Sequence, residues 1–138
     1  FMKEDKIMRN ELENLDMEKF IFTNGSAEHA QNILTRLGIY DLFGKEKVFD
    51  IKDAGYVPKP EAQTFDLMVK KFGIKPKETI YIEDIAKNLS TGFEKGCTTV
   101  WLINDEHFGK IDSDKDYISH KIENLSLFLK EIRLLKSK

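Results

Sequence analysis

The sequence lacks the features that mark secreted or membrane-inserted proteins. Its single cysteine, Cys97, cannot form a disulfide within the chain, and this favours a reducing compartment. No apolar run approaches the roughly 18 to 20 residues that a membrane-spanning helix needs, and no signal-peptide pattern is evident. We therefore expect a cytoplasmic protein with no membrane partner.

A strong charge of one sign is also missing. The formal net charge is −2 at pH 7, which gives no electrostatic reason to expect nucleic acid or an anionic membrane as a partner. The composition is 41% hydrophobic and 33% charged, as in ordinary globular proteins. A length of 138 residues suffices for one domain with one hydrophobic core.

Short apolar segments alternate with amphipathic segments along the chain. The predicted strands are residues 19–23, 47–51, 79–83 and 98–103, with a short edge strand at 117–119. The predicted helices are residues 3–16, 27–37, 60–72, 85–95 and about 125–135, and residues 104–116 are expected to form a polar loop. This alternation predicts an α/β fold in which helices flank a parallel sheet.

Local signals predict where some helices begin and end. Ser26 is a suitable N-cap for the helix at 27–37, and Gly38 is suited to end it. Pro60 is suited to the first position of the following helix. The first helix shows no capping signal. Trp101, inside a predicted strand, is expected in the core or on the wall of a substrate site.

Polar side chains follow three of the predicted strands. In open α/β sheets ligands bind beyond the carboxyl ends of the strands, so these side chains are expected to converge at one edge. They are Thr23 and Asn24 at and after the end of the first strand, where Gly25 follows, Lys59 after the second, and Glu83, Asp84 and Asn88 at and after the third.

The segment Thr23-Asn24-Gly25 has the properties of a phosphate site. Thr23 offers a hydroxyl, Gly25 lets the backbone approach a ligand closely, and the amides that follow open a helix whose N-terminus favours anions. The alternative is that Asn24-Gly25 is only a turn and Ser26 only a cap.

Lys59 lies between Pro58 and Pro60, and the two rings restrict where its side chain points. An ammonium at this place would neutralise phosphoryl oxygens as charge develops on them. The alternative is a solvated surface lysine.

The pair Glu83-Asp84 ends an apolar strand. Hard oxygen ligands at such a point suit Mg²⁺, which takes few protein carboxylates and keeps several waters. Asn88 follows Asp84 by four residues and would face the same spot from the first helical turn. The alternative is that Asp84 only caps the helix and Asn88 is solvated.

These residues, in this order, resemble the ordered motifs of the haloacid dehalogenase superfamily. Residues 20–25 are similar to its second motif, in which a strand-ending Thr or Ser binds the phosphoryl group, and Lys59 is similar to the third-motif lysine. Residues 82–88 are similar to the acidic fourth motif, with Asp84 as the direct magnesium ligand and Glu83 and Asn88 at supporting positions.

The resemblance implies a Rossmann-like core and a Mg²⁺-dependent phosphohydrolase that works through an aspartyl-phosphate. Its catalytic residues would be Thr23, Lys59 and Asp84, and its substrate a small phosphorylated metabolite. Residues 22–30 and 37–43 are further similar to the pyrimidine 5′-nucleotidase-like branch, which implies a nucleoside 5′-monophosphate or a similar small ester.

The family's first motif, an Asp-x-Asp run that supplies the nucleophile, does not follow any predicted strand. Asp112-Ser113-Asp114 has the right letters but lies in a predicted polar loop, and we do not accept it as a substitute. We expect this chain to be a C-terminal portion that lacks the first strand and most of the cap, so that a further N-terminal segment of the same protein completes the sheet. Residues 1–17 would then be the tail of the cap or a connecting helix, and 18–138 a partial core.

Two other functions remain open. The chain could be a catalytically inactive scaffold or truncated fragment that still binds phosphate or another ligand. It could also be a bare interaction domain in which Glu83-Asp84 serves only as a capping pair.

Overall fold

A computed structural model describes residues 3–136 of the chain. The chain divides into two compact units, one that comprises the residues up to Tyr56 together with those from Leu125 onward, and one that comprises Val57–Asn124. The first unit contains α1 (Lys6–Asn14), β1 (Ile21–Phe22), α2 (Ala27–Leu37), β2 (Val48–Phe49) and α6 (Leu125–Lys136). The second contains α3 (Ala62–Phe72), β3 (Ile80–Glu83), α4 (Ser90–Glu94), β4 (Thr98–Leu102), α5 (His107–Lys110) and β5 (His120–Ile122).

The first unit is built on a parallel pair of short strands. Ile21 of β1 lies opposite Val48 of β2, and Phe22 lies opposite Phe49. The two phenylalanine rings meet edge to face with their centroids 5.5 Å apart, an arrangement that aromatic pairs favour.

Both predicted boundaries of α2 are confirmed. The hydroxyl of Ser26 accepts a hydrogen bond from the His29 amide at 3.0 Å, which satisfies one of the free amides of the first turn. Gly38 ends the helix with φ at +77°, in the left-handed region that glycine adopts without steric cost.

Helices α1 and α6 complete the core of the first unit. The sequence analysis found no capping signal for α1, but the side chain of Asp5 caps this helix, because it accepts a hydrogen bond from the Met8 amide at 2.9 Å. Glu11 on α1 is only 5% exposed, and Arg133 on α6 donates to its carboxylate at 2.8 Å. The buried apolar residues of this core are Leu12, Leu15, Leu34, Ile39, Phe43 and Leu129.

The second unit is built on a parallel sheet in the order β3-β4-β5. Glu83 at the end of β3 lies opposite Trp101 of β4, and Trp101 lies opposite Lys121 of β5. The edge strand predicted at 117–119 instead occupies His120–Ile122. The side chain of Thr99 explains the difference, because its hydroxyl donates to the Tyr117 carbonyl at 2.6 Å and accepts from the Ser119 amide at 3.0 Å.

The prediction that Pro60 takes the first position of α3 is wrong. The Lys59–Pro60 peptide bond is cis, and the Glu61 amide donates to the Pro58 carbonyl at 3.2 Å. These residues therefore form a turn, and the helix begins only at Ala62.

The helix predicted at 85–95 is divided in two. Residues Ala86–Leu89 form a 3₁₀ turn, and α4 follows from Ser90. The predicted polar loop at 104–116 contains the short helix α5. Ala86 and Leu89 of the turn pack with Trp101 in the buried cluster of this unit. None of the helices within residues 3–136 is long and apolar enough to cross a membrane.

Candidate active site

Lys59 and Glu83 form a buried ion pair in the second unit. The ammonium nitrogen lies 2.6 Å from a Glu83 carboxylate oxygen, and the two side chains are only 6% and 8% exposed. The Tyr81 hydroxyl donates to the same oxygen at 3.5 Å. The alternative interpretation of Lys59 as a solvated surface lysine is therefore wrong.

The pair is placed by the local backbone. Glu83 is the last residue of β3, and the turn around Pro58 and Pro60 carries Lys59 to it. The Pro60 carbonyl accepts a hydrogen bond from the Thr91 hydroxyl of α4, and the Val57 carbonyl accepts one from the Thr64 hydroxyl of α3. The turn that carries Lys59 is thus hydrogen-bonded to α3 on one side and to α4 on the other.

Burial dominates the electrostatics of this pair. Burial raises the pKa of Glu83 above its usual range, while the Lys59 ammonium opposes that rise. The pKa of the Tyr81 phenol is raised well above its usual range, first by burial and then by the Glu83 carboxylate. Loss of either partner would leave a charge inside the protein with no counter-charge, which is costly.

Asp84 is the residue directly after Glu83 and, unlike Glu83, is exposed. The position before the 3₁₀ turn is occupied by Ile85, and no side chain caps that turn. The alternative that Asp84 only caps the helix is therefore wrong. Two side chains instead donate to the Asp84 backbone carbonyl. They are the Trp101 indole nitrogen at 2.9 Å and the Asn104 side-chain nitrogen Nδ2 at 2.6 Å.

Asn88 lies within the 3₁₀ turn and is only 4% exposed. The alternative of a solvated asparagine is therefore wrong. Its backbone amide donates to the Ile85 carbonyl at 3.0 Å. The role of its side chain beside Asp84 stays a prediction.

The predicted magnesium ligands fit the ion as a partial set. Among residues 3–136, no group of three or more His, Cys, Asp or Glu side chains is arranged to hold a metal. The Glu83 carboxylate is engaged by Lys59, which leaves Asp84 as the exposed carboxylate at the end of β3. Mg²⁺ commonly takes one or two protein carboxylates and completes its shell with water and substrate phosphate, so an exposed Asp84 suits it.

The predicted phosphate segment lies in the first unit, directly after β1. The Thr23 amide donates to the Phe49 carbonyl at 3.0 Å, and the Gly25 amide donates to the Thr23 hydroxyl oxygen at 3.0 Å. The Thr23 oxygen therefore already accepts a hydrogen bond, and its own O–H remains the donor that it can offer to a ligand. Thr23, Asn24 and Gly25 belong to the other unit from Lys59 and Asp84, so their convergence stays a prediction.

Asp50 is a buried aspartate, bound to the first residue of α2, that the sequence analysis did not single out. It follows β2, is only 5% exposed, and accepts hydrogen bonds from the Ala27 amide at 2.9 Å and the Asp53 amide at 3.0 Å. Burial by itself would raise the pKa of Asp50, but the backbone amides that bind its carboxylate lower it below the usual range. The available signal was an aspartate within the apolar strand predicted at 47–51.

The chain matches a known family of hydrolases. The family model for haloacid dehalogenase-like hydrolases matches residues 8–94, which is more than half of the chain. The glyceraldehyde 3-phosphate phosphatase of Methanocaldococcus jannaschii is 27% identical over 127 residues, which cover 91% of this chain and 54% of that protein.

Solved structures share the fold at low sequence identity. A HAD family hydrolase of Deinococcus radiodurans R1, with bound phosphate and sodium, matches with a TM-score of 0.71 and 19% identity, over 94% of this chain and 56% of its own. The HAD-hydrolase YfnB of Bacillus subtilis, bound to magnesium, matches with a TM-score of 0.64 and 18% identity, over 89% of this chain and 53% of its own.

These matches confirm the predicted α/β fold with parallel strands and flanking helices. The chain spans about half the length of the relatives that it matches. Because the family model covers more than half of the sequence, this chain belongs to the haloacid dehalogenase-like hydrolases.

Proposed function

We propose that the full-length protein is a Mg²⁺-dependent phosphohydrolase that acts on small phosphate esters. The observation that carries the proposal is the buried Lys59–Glu83 ion pair next to the exposed carboxylate of Asp84. A buried ion pair gives little net stability compared with apolar packing, so its presence beside an exposed acid at a strand end favours a chemical role.

Lys59 would stabilise the negative charge that develops on the transferred phosphoryl group and on the attacking carboxylate. Glu83 holds the ammonium in place by the 2.6 Å contact, so no side-chain rearrangement is needed when that charge appears. Lys59 would thus act as a fixed positive charge.

Thr23, Asn24 and Gly25 would hold the phosphoryl oxygens. The Thr23 hydroxyl supplies a donor, and its oxygen is oriented by the Gly25 amide. The helix α2 begins shortly after this segment, and the partial positive charge of a helix N-terminus favours a nearby anion.

Asp84 would bind Mg²⁺ directly, with Glu83 and Asn88 as its supporting residues. When bound, the ion would offset negative charge between the phosphate and the attacking group. Asn88 is buried in the turn that follows Asp84, and Glu83 precedes it.

The attacking group would be an aspartate from a segment that this sequence does not contain. Asp112-Ser113-Asp114 lies in the turn that follows α5 rather than at a strand end, so it does not take that place. Attack on phosphorus would form an aspartyl-phosphate and release the alcohol, and water would then hydrolyse the acyl phosphate. On this proposal the 138-residue chain alone is inactive.

The substrate would be a small phosphorylated metabolite. The similarity of residues 22–30 and 37–43 to the 5′-nucleotidase-like branch favours a nucleoside 5′-monophosphate, and the name of the Methanocaldococcus jannaschii relative favours a triose phosphate. The two substrate classes share the phosphate ester and differ in the leaving group.

The proposal is tested by phosphate release from both substrate classes. Full-length protein is incubated with glyceraldehyde 3-phosphate and with a pyrimidine nucleoside 5′-monophosphate, each with Mg²⁺ and with excess chelator. We expect release that requires Mg²⁺ and stops on its removal. Binding of phosphate without release from any ester would contradict the enzyme proposal and favour the inactive scaffold.

A further inference from the structure

The backbone of Asp84 is held on two sides by the protein. Its carbonyl accepts from the Trp101 indole nitrogen at 2.9 Å and from the Asn104 side-chain nitrogen at 2.6 Å. On the other side of the same peptide unit, the Ile85 amide donates to a Glu83 carboxylate oxygen at 3.4 Å. A carbonyl oxygen has two lone pairs, so both acceptor positions of Asp84 are filled by side chains.

Asn104 is itself held in one orientation. Its side-chain oxygen accepts from the Glu106 amide at 2.9 Å, so its nitrogen is the atom that faces Asp84. Trp101 is only 5% exposed and lies opposite Glu83 in the β3–β4 register. Neither donor can therefore turn away from Asp84 without the loss of other contacts.

Gly109 leaves the space that this arrangement needs. A Cβ atom at position 109 would lie 2.7 Å from both polar side-chain atoms of Asn104 and 2.9 Å from the Asp84 carbonyl oxygen. Glycine is less favourable than alanine within a helix, but here any side chain would displace Asn104 or the peptide of Asp84.

We propose that Trp101 and Asn104 are positioning residues that fix the Asp84 peptide and so aim its carboxylate at a divalent cation. The carbonyl of Asp84 is bound by the protein while the residue remains exposed. The fixed peptide therefore orients the Cα–Cβ bond of Asp84, which carries the carboxylate. This inference rests on the proposed function of Asp84 as a magnesium ligand, and it adds residues 101, 104 and 109 to the metal-binding region.

The first test is the Mg²⁺ concentration at half-maximal phosphate release in the full-length protein. Asn104→Ala and Trp101→Phe each remove one donor, and Gly109→Ala displaces Asn104. Each is expected to raise the required concentration by about tenfold to a hundredfold, as for other residues that orient a metal ligand. Asp105→Ala, an exposed neighbour of Asn104, is expected to leave it unchanged.

The second test does not depend on activity. Amide hydrogen exchange at residues 84–86 without Mg²⁺ is expected to accelerate in Asn104→Ala and not in Asp105→Ala, because the Asp84 peptide is released. Faster exchange with an unchanged Mg²⁺ requirement in both Asn104→Ala and Trp101→Phe would overturn the inference, since the contacts would then be only structural. Unchanged exchange would overturn it as well. A wild-type protein with no Mg²⁺-dependent turnover would instead refute the proposed function, while the exchange measurement would still test the contacts at Asp84.

Discussion

At the scale of single residues, the Lys59–Glu83 pair shows how much the sequence revealed. The setting of Lys59 between two prolines predicted a directed side chain, and the residue is buried rather than solvated. What the sequence did not reveal is its partner, since Glu83 was predicted to face a metal and its carboxylate contacts the lysine. A contact between residues 24 positions apart depends on the path of the turn at 58–61, and no local pattern specifies that path.

Removal of Lys59 should destabilise the second unit. Lys59→Met leaves Glu83 buried without its counter-charge, and such a loss costs about 3–5 kcal/mol of unfolding free energy. The double variant Lys59→Met with Glu83→Gln should recover much of that loss, because no buried charge remains. Urea denaturation at neutral pH measures both.

Lys115→Met, at an exposed lysine of the same unit, is the matched control for loss of a positive charge and should have little effect. Equal stability of wild type and Lys59→Met would contradict the description of the pair as buried and mutually dependent.

At the scale of secondary-structure elements, locally encoded boundaries were predictable and boundaries set by distant contacts were not. Both ends of α2 follow from Ser26 and Gly38, which act within one turn of the helix. The start of α3 and the position of β5 depend instead on tertiary contacts. In β5 the decisive contact comes from Thr99, whose hydroxyl binds the backbone at 117–119 and leaves the strand to begin at His120.

The Thr99 hydroxyl should therefore be necessary for the stability of the β4–β5 region. Thr99 is 0% exposed, and Thr99→Val keeps its shape but leaves the Tyr117 carbonyl and the Ser119 amide without this partner. We expect a loss of about 1–3 kcal/mol in unfolding free energy and faster amide exchange at 117–122.

Thr98→Val, at the neighbouring exposed position of the same strand, is the matched control. If the two valine variants were equally stable, the hydroxyl contacts of Thr99 would not hold this segment.

The Asp50 carboxylate should make the first unit sensitive to acid. Amide hydrogen bonds lower its pKa in the folded state, so its contribution is present above the unfolded pKa of about 3.9 and is lost as the pH falls through the lower folded value. Asp50→Asn is expected to cost about 1.5–3 kcal/mol at neutral pH, the range for hydrogen bonds to charged groups. The difference from wild type should shrink below about pH 4.

Thermal unfolding of both proteins across the pH range measures this dependence, with Asp105→Asn, at an exposed aspartate, as the control. A difference that stayed constant down to strongly acidic pH would show that the Asp50 charge is not responsible.

At the scale of the whole molecule, the order of motifs predicted the family and the fold. The sequence predicted a parallel sheet that lacks its first strand, and the described strands form a two-stranded and a three-stranded parallel sheet in two compact units. The phosphate segment at Thr23 belongs to one unit, and the acidic segment at Asp84 belongs to the other. Hydrophobic periodicity predicts which segments form strands, but it carries no information on which strands pair.

The most direct test of the account is phosphate release by the full-length protein with Asp84→Asn, compared with Asp105→Asn. Asp84 is exposed, so its substitution should leave the fold intact while it removes the carboxylate that binds Mg²⁺. We predict a loss of turnover of at least about tenfold to a hundredfold for Asp84→Asn and none for Asp105→Asn. Equal turnover of the two variants would contradict the assignment of this strand end as the metal site of a phosphohydrolase.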